Sequence, residues 1–173
     1  KIQSNDDREF GRHCAEIRRR AGNHQIKLVV DVGASIGGTV RRYLSEFEHA
    51  QIIAFEPVQG TFTELASNVG GCNRVCRINL ALGATQGVVE LYHQPDHAMN
   101  SLSPAINTGH PDCGGSEMVT VTTLDRIVKD NDIEHIDVLK LDTEHFELEV
   151  IRGADQTLRE HRVSFVYAEV TFD

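Results

Sequence analysis

Acidic residues stand at two places where an apolar stretch of the chain ends. Asp142, Glu144 and His145 directly follow one apolar run, and Asp31 lies near the end of another. Carboxylates and imidazoles can accept a proton from a hydroxyl group, and carboxylates also attract cations. We therefore expect Asp142, Glu144 and His145 to be catalytic residues. For His145, a solvent-exposed position in the first turn of a helix is the alternative.

A glycine-rich loop follows the apolar run that contains Asp31. Residues 27–32 lead into the sequence Gly33-Ala34-Ser35-Ile36-Gly37-Gly38, after which a helical pattern begins. In an open α/β sheet, such a strand, turn and helix border the crevice where ligands bind. Glycine there lets a ligand approach the main chain closely. The spacing does not match the dinucleotide fingerprint G-x-G-x-x-G. The loop indicates a nucleoside-containing cofactor, with an ordinary strand-to-helix turn as the alternative.

A third carboxylate ends the next predicted strand. Gln51-Ile52-Ile53-Ala54-Phe55 reads as a buried strand that stops at Glu56-Pro57. An acid at the tip of the second strand of such a fold can accept hydrogen bonds from both ribose hydroxyls. We expect this role for Glu56, and a solvated loop carboxylate is the alternative.

Alternating strands and helices would position these residues. Apolar runs predict strands at 28–32, 51–55, 75–80, 88–92, 118–122, 136–141 and 163–170, and helical spacing predicts helices between several of them. One of these helices is expected to run from Phe146 to Leu158. The alternation predicts βαβ units in a doubly wound, mainly parallel α/β sheet of the Rossmann-like type.

The 173 residues are expected to form a single domain with two additions to this pattern. Residues 1–26 are interpreted as a lead-in helix, with Phe10, Cys14, Ile17 and Ala21 on its apolar face. Residues 94–117 are rich in proline and glycine and have little periodicity. We interpret them as a flap over the active site, with a disordered excursion as the alternative.

Charge and cysteine content restrict the partners and the compartment. The formal net charge of −9 argues against nucleic acid as the main partner. No apolar run is long enough for a membrane span, and no signal peptide is visible. The four cysteines fit no zinc spacing, so free thiols in a reducing cytoplasm are the expectation. We predict no resident metal, although a magnesium ion bridging Asp142 and acceptor hydroxyls is a weaker alternative.

Six short motifs in a fixed order resemble FkbM-type methyltransferases. They are Asp31-x-Gly33-Ala34-x-x-Gly37, Phe55-Glu56-Pro57, Asn79-x-Ala81-Leu82-Gly83, Ser101-Leu102, Thr123-Leu124-Asp125 and Lys140-Leu141-Asp142-x-Glu144. The resemblance extends from about residue 28 to residue 169. It implies the class I methyltransferase fold, S-adenosylmethionine as cofactor with S-adenosylhomocysteine as product, and methylation of hydroxyl oxygens on sugars or natural products.

The resemblance also implies a role for each matching residue. The loop residues Asp31, Gly33, Ala34 and Gly37 would hold the methionine portion of the cofactor. Glu56 would bind the ribose, and the adenine would be bordered by Asn79, Ala81 and Leu82. Asp142 and Glu144 would face the methyl group and the acceptor, with Asp142 also contacting the cofactor.

The chain departs from this family's pattern at two points. The family usually has glycine after the position of Glu144, where this chain has His145. The class I sheet also normally has strands 6 and 7, for which no sequence remains. The fifth strand is therefore expected to be exposed, or to be covered by a partner or by residues outside the given sequence, and its edge would allow a homodimer to form.

The residues themselves favour the same cofactor. Its sulfonium and amino groups are cationic, and the carboxylates of Asp31, Asp142 and Glu144 would attract them. Its carboxylate needs main-chain hydrogen-bond donors, which the loop from Gly33 to Gly37 would provide. Acids around this loop would repel a pyrophosphate. Two other functions stay open: an NAD(P)-dependent oxidoreductase that uses Glu56, and a cofactor-binding module without catalysis. The expected acceptor is a small molecule or a glycan.

Overall fold

The computed structural model describes residues 5–93 and 115–169, with the side chains of residues 5–9 excepted. In chain order, the helices are α1 (Asn5–Ala21), α2 (Gly38–Glu46), α3 (Gln59–Asn68), α4 (Leu124–Asp130), α5 (Glu147–Arg152) and α6 (Asp155–Arg159). The strands are β1 (Leu28–Val32), β2 (Gln51–Phe55), β3 (Val75–Ile78), β4 (Ala81–Leu82), β5 (Gly87–Tyr92), β6 (Ser116–Thr122), β7 (Ile136–Leu141) and β8 (Val163–Ala168).

Five strands form a parallel sheet in the order β3-β2-β1-β7-β8. The chain leaves β1 in one direction to β2 and returns on its other side as β7, so the strand order reverses between β1 and β7. A crevice opens at such a reversal, beside the carboxyl ends of the strands. The predicted doubly wound, mainly parallel α/β sheet is confirmed.

Alternation along β1 divides the core between the two faces of this sheet. Val29 packs on the face covered by α1, α2 and α3, whereas Val30 and Val32 pack on the face covered by α4 and α5. All three are at most 2 % exposed. The near-continuous apolar sequence of β1 follows from this burial on both sides. Asp31 interrupts it and is itself fully buried.

A second, smaller sheet corrects part of the predicted strand pattern. Its order is β4-β6-β5, with β4 and β6 parallel and β5 and β6 antiparallel. The strand predicted at 75–80 ends at Ile78, and the chain then enters this second sheet at Ala81. Val58 packs with its inner residues Ala81, Leu91, Val119 and Val121.

The helix predicted from Phe146 to Leu158 is two helices, α5 and α6, and this expectation was therefore wrong. Gly153 separates them, and a Cβ atom there would lie 2.0 Å from the carbonyl oxygen of Gly83. Asp125 then binds the start of α6, because its carboxylate accepts hydrogen bonds from the backbone N–H groups of Gln156 and Thr157. The apolar spacing gave no sign of this break, since it continues across both helices.

The lead-in helix is observed as α1, with the predicted face of Phe10, Cys14, Ile17 and Ala21 against the core. The predicted flap lies almost entirely outside the described residues; of its positions, Ser116 and Glu117 belong to β6. Strand β8 pairs with β7 and with no other strand among residues 5–93 and 115–169. No helix in this part of the chain has the length and apolar character needed to cross a membrane.

Candidate functional site

A cleft lies at the carboxyl ends of β1, β2 and β7, where the strand order reverses. Six residues named from the sequence line it, and they come from four separate segments of the chain: Gly33, Glu56, Ala81, Leu82, Asp142 and Glu144. The remaining lining residues are Val32, Ser35, Phe55, Pro57, Val58, Leu80, Leu91, Thr143 and Phe146.

Gly33 is required by the close approach of β1 and β7 at this point. Its φ is +77°, and a Cβ atom would lie 1.8 Å from the backbone oxygen of Asp142. Its N–H group and that of Ala34 donate to the carbonyl oxygen of Phe55 at 3.1 and 2.9 Å. Gly33 therefore joins three strand ends, in addition to lining the cleft.

The rest of the glycine-rich loop is held mainly by contacts within the protein. Ala34 is 2 % exposed, and Gly37 adopts a φ of +87° and faces Leu65, whose Cδ1 would lie 2.8 Å from an added Cβ. The N–H groups of Ser35 and Gly37 donate to the Glu56 carboxylate and the Ala34 carbonyl oxygen. The expected donors for a ligand carboxylate are therefore engaged at Gly33, Ala34, Ser35 and Gly37.

Glu56 presents a buried carboxylate to the cleft. It is 6 % exposed, its Oε2 accepts from the N–H of Ser35 at 3.0 Å, and its Oε1 accepts from the N–H of Val58 at 3.0 Å. Burial raises the pKa of Glu56 to about 7, although these two hydrogen bonds oppose the change. Each carboxylate oxygen has a second lone pair, so both can still accept a hydrogen bond from a ligand hydroxyl.

The next wall of the cleft is apolar and is positioned by Asn79. The Asn79 amide donates to the carbonyl oxygens of Glu56 and Pro57 at 2.8 and 2.9 Å. It thereby fixes the turn after β2 and does not itself line the cleft. Ala81 and Leu82 do line it, at 4 % and 1 % exposed. Together with Phe55, Val58, Leu80, Leu91 and Phe146 they form an apolar surface of the kind that lines small-molecule sites.

The turn after β7 carries the three predicted catalytic residues. Glu144 and His145 have φ values of +50° and +73°, a conformation that is costly for residues with a side chain. The glycine that the resemblance implies at the His145 position would fit this backbone. Asp142 and Glu144 line the cleft, whereas His145 is exposed and does not. Thr143 secures the turn, since its N–H and hydroxyl groups donate to Glu147 at 2.7 and 3.0 Å.

A buried lysine, which is not among the site residues expected from the sequence, lies beneath this turn. The Nζ atom of Lys140 lies 3.1 Å from Oδ1 of Asp31 and 3.0 Å from Oδ2 of Asp142. It also donates to the carbonyl oxygen of Gly33 at 3.2 Å. Burial lowers the pKa of Lys140, but the two carboxylates outweigh it, so the net direction is upward. Asp31, named as a cofactor ligand, therefore pairs with Lys140 under the cleft and does not line it.

Further carboxylates lie near Asp142 and Glu144. Burial raises the pKa of Glu144, and the carboxylates of Asp142, Glu169 and Glu147 raise it further. Asp142 also raises the pKa of Glu169, which follows β8. Among the described residues, no three His, Cys, Asp or Glu side chains are arranged to hold one metal ion.

The composition of the lining restricts what the cleft can bind. Three acidic side chains line it, and none of the lining residues found in the described part of the chain is Lys, Arg or His. Phosphate recognition normally uses cationic side chains or free main-chain donors at a helix amino end. A nucleoside whose other end is cationic fits this lining better than a pyrophosphate does.

Comparison with known proteins agrees with this geometry. Residues 31–173 match the family model described as the methyltransferase FkbM domain. The chain is 27 % identical over 175 residues to the methyltransferase sdnD of Sordaria araneosa, an alignment that covers 85 % of this chain and 66 % of that protein. It is 25 % identical over 153 residues to the 2-O-methyltransferase NoeI of Sinorhizobium fredii, covering 82 % of this chain and 62 % of that protein. The chain thus spans just under two thirds of each relative.

Proposed function

Because this chain belongs to the methyltransferase FkbM domain family, we propose that it is an S-adenosylmethionine-dependent methyltransferase acting on a hydroxyl group of a small-molecule or glycan acceptor. The observation that carries the proposal is the lining of the cleft. The cleft combines the buried carboxylate of Glu56, an apolar wall, and the carboxylates of Asp142 and Glu144. No cationic side chain is found among the described lining residues.

Each part of the cleft suits one part of the proposed cofactor. Glu56 accepts hydrogen bonds from the ribose hydroxyls, and the wall around Ala81 and Leu82 takes the adenine. The carboxylates of Asp142 and Glu144 face the cationic methionine end. When bound, S-adenosylmethionine supplies an electrophilic methyl group on a positively charged sulfur. The 2-O-methyltransferase name of one relative supports an oxygen acceptor.

The protein's own contribution is alignment and removal of a proton. Holding the acceptor oxygen in line with the methyl carbon and the sulfur supplies most of the acceleration in such a displacement. With cofactor and acceptor bound, transfer of the methyl group to the hydroxyl oxygen would release a proton, which a base of this chain would accept. Glu144 suits this task because it lines the cleft and its pKa is raised by burial and by neighbouring carboxylates. A role for His145 stays a prediction.

Ligand-induced stabilisation tests the choice of cofactor. At about 100 times its dissociation constant, S-adenosylhomocysteine should stabilise the fold by about 2.7 kcal/mol. For a domain of this size we expect the melting temperature to rise by about 5–11 °C. NAD and NADP should give no comparable rise. A response to NAD without one to S-adenosylhomocysteine would contradict the proposal and favour an oxidoreductase.

Methyl transfer tests catalysis separately from binding. Radiolabelled S-adenosylmethionine should label hydroxyl groups in a panel of neutral sugars and natural products. Asp142→Asn should lower that rate more than tenfold, since a lost positioning contact at a reacting centre costs about 10²-fold. Val128→Ala, which alters a buried residue of α4, is the matched control for general destabilisation. Cofactor binding without transfer to any acceptor would favour a non-catalytic binding module.

A further inference from the structure

Lys140 lies beneath the cleft, between its two principal loops. Its ammonium group reaches Asp31 on β1, the Gly33 carbonyl group after β1 and Asp142 after β7, all within 3.0–3.2 Å. The ammonium group donates a hydrogen bond to the Gly33 carbonyl oxygen and lies within ion-pair distance of both carboxylates. Lys140 therefore connects the glycine-rich loop to the turn that carries Asp142 and Glu144.

Stability alone does not account for this lysine. Lys140 is 4 % exposed in a strand whose residues are all buried, and Asp31 is fully buried. Placing two charges in such an interior costs several kcal/mol per ion before their attraction is counted, and well-packed apolar residues often replace such pairs without loss of stability. Among the described residues, the buried oxygens of Asp31 have no hydrogen-bond partner, and Asp31 is held by its ion pair with Lys140. The third contact, to Asp142, extends the charge pair to the surface of the cleft.

On the premise of the proposed function, we infer that Lys140 is a positioning residue of the cofactor cleft. It orients the Asp142 carboxylate and the Gly33 carbonyl group for the cationic end of the cofactor. Asp31 holds the ammonium group from below and acts through it, without touching the ligand. Asp31 then affects cofactor binding only indirectly, through Lys140.

A purely structural role makes a different prediction. If Lys140 only neutralises Asp31, removing both charges together should restore the protein completely. The double variant Asp31→Asn with Lys140→Met removes both charges and keeps similar side-chain volumes. The single variant Lys140→Met leaves the Asp31 charge buried without a partner and is expected to be strongly destabilised.

The experiment measures unfolding by urea and S-adenosylhomocysteine binding by calorimetry on the same proteins. We expect the double variant to be more stable than Lys140→Met, yet to bind S-adenosylhomocysteine at least tenfold more weakly than the wild type. Asp137→Asn is the matched control. It removes a buried carboxylate from the opposite end of β7 and should lower stability without changing affinity. Wild-type affinity in the double variant would overturn the inference, whereas no binding to the wild type would overturn the proposed function.

A measurement on the wild-type chain does not depend on how any charge variant folds. In protein labelled with ¹³C at the lysine Cε positions, the Lys140 resonance can be assigned by replacing Lys1, Lys27 and Lys129 with Arg. Saturating S-adenosylhomocysteine should shift the Lys140 resonance more than those of the other lysines. An unmoved Lys140 resonance at saturation would overturn its positioning role, because its contacts to Asp142 and Gly33 would then be insensitive to the ligand.

Discussion

Glu56 combines two properties that oppose each other. Burial raises its pKa to about 7, so the protonated carboxyl group predominates in the free protein below that pH. Two ribose hydroxyls would instead favour the ionised carboxylate, because hydrogen bonds to the charged form stabilise it. Cofactor binding should therefore be linked to loss of the Glu56 proton.

This linkage predicts a pH-dependent affinity. The affinity for S-adenosylhomocysteine should rise as the pH increases from 5.5 to about 7 and should level off above that, with a change of about tenfold or more. Calorimetry across this range measures it. Glu56→Gln should bind more weakly at every pH, and its affinity should vary much less between pH 5.5 and 8. An equally steep profile in Glu56→Gln would assign the dependence to another group.

The sequence was most informative about which acidic side chains line the cleft. Glu56 and Asp142 directly follow parallel strands and Glu144 is two residues further on, so all three lie where the strand ends border the cleft. Lys140 received no role, since a lysine one residue before the end of a strand resembles the start of a solvated loop. Its partners become apparent only when Asp31 and Lys140 are seen to be neighbours across β1 and β7.

At the level of elements, the cleft depends on how closely β1 and β7 approach. The loop after β1 passes the backbone of Asp142 with no room for a side chain at Gly33. Gly71, between α3 and β3, has the same φ of +77° but nothing within 4 Å of an added Cβ. The two glycines thus share one backbone conformation and differ in their surroundings.

Gly33→Ala and Gly71→Ala separate these two effects. Both substitutions carry the conformational cost of a left-handed residue, about 1–2 kcal/mol. Gly33→Ala adds a clash with the backbone, and forcing extra atoms into a packed site costs about 1–3 kcal/mol or more. We expect its free energy of unfolding to be at least about 2 kcal/mol below that of Gly71→Ala in urea titrations. Equal losses of unfolding free energy in the two variants would show that the loop after β1 and the turn after β7 can move apart without cost.

The order of strands and helices along the chain could also largely be predicted from the sequence, whereas the division of the strands between two sheets could not. The strand at 51–55 is observed as predicted, because a short apolar run between a turn and Glu56-Pro57 has clear limits. The second sheet was missed because β4 has two residues and its partner β6 is distant in sequence. Gly153 ends α5 through a contact with Gly83, which no local pattern encodes.

For the whole molecule, the site and the fold respond to pH in opposite directions. The folded-state pKa of Glu56 lies above its ordinary value of 4.5, so its contribution to stability is fully present below pH 4.5 and is lost as the pH rises through about 7. The change from 4.5 to about 7 corresponds to about 3 kcal/mol. The ligand-free protein should consequently lose stability over the same range in which cofactor affinity increases.

Urea unfolding of the ligand-free protein at pH 5 and pH 8 measures this loss. The wild type should lose up to about 3 kcal/mol more between these values than Glu56→Gln does. Glu56→Gln carries its own constant cost, because its amide faces the N–H donors of Ser35 and Val58, but that cost does not vary with pH. Val128→Ala contains no new or lost titratable group and should follow the wild-type profile at a lower stability. If Glu56→Gln loses as much stability as the wild type between pH 5 and pH 8, the buried carboxylate is not the group that couples folding to pH.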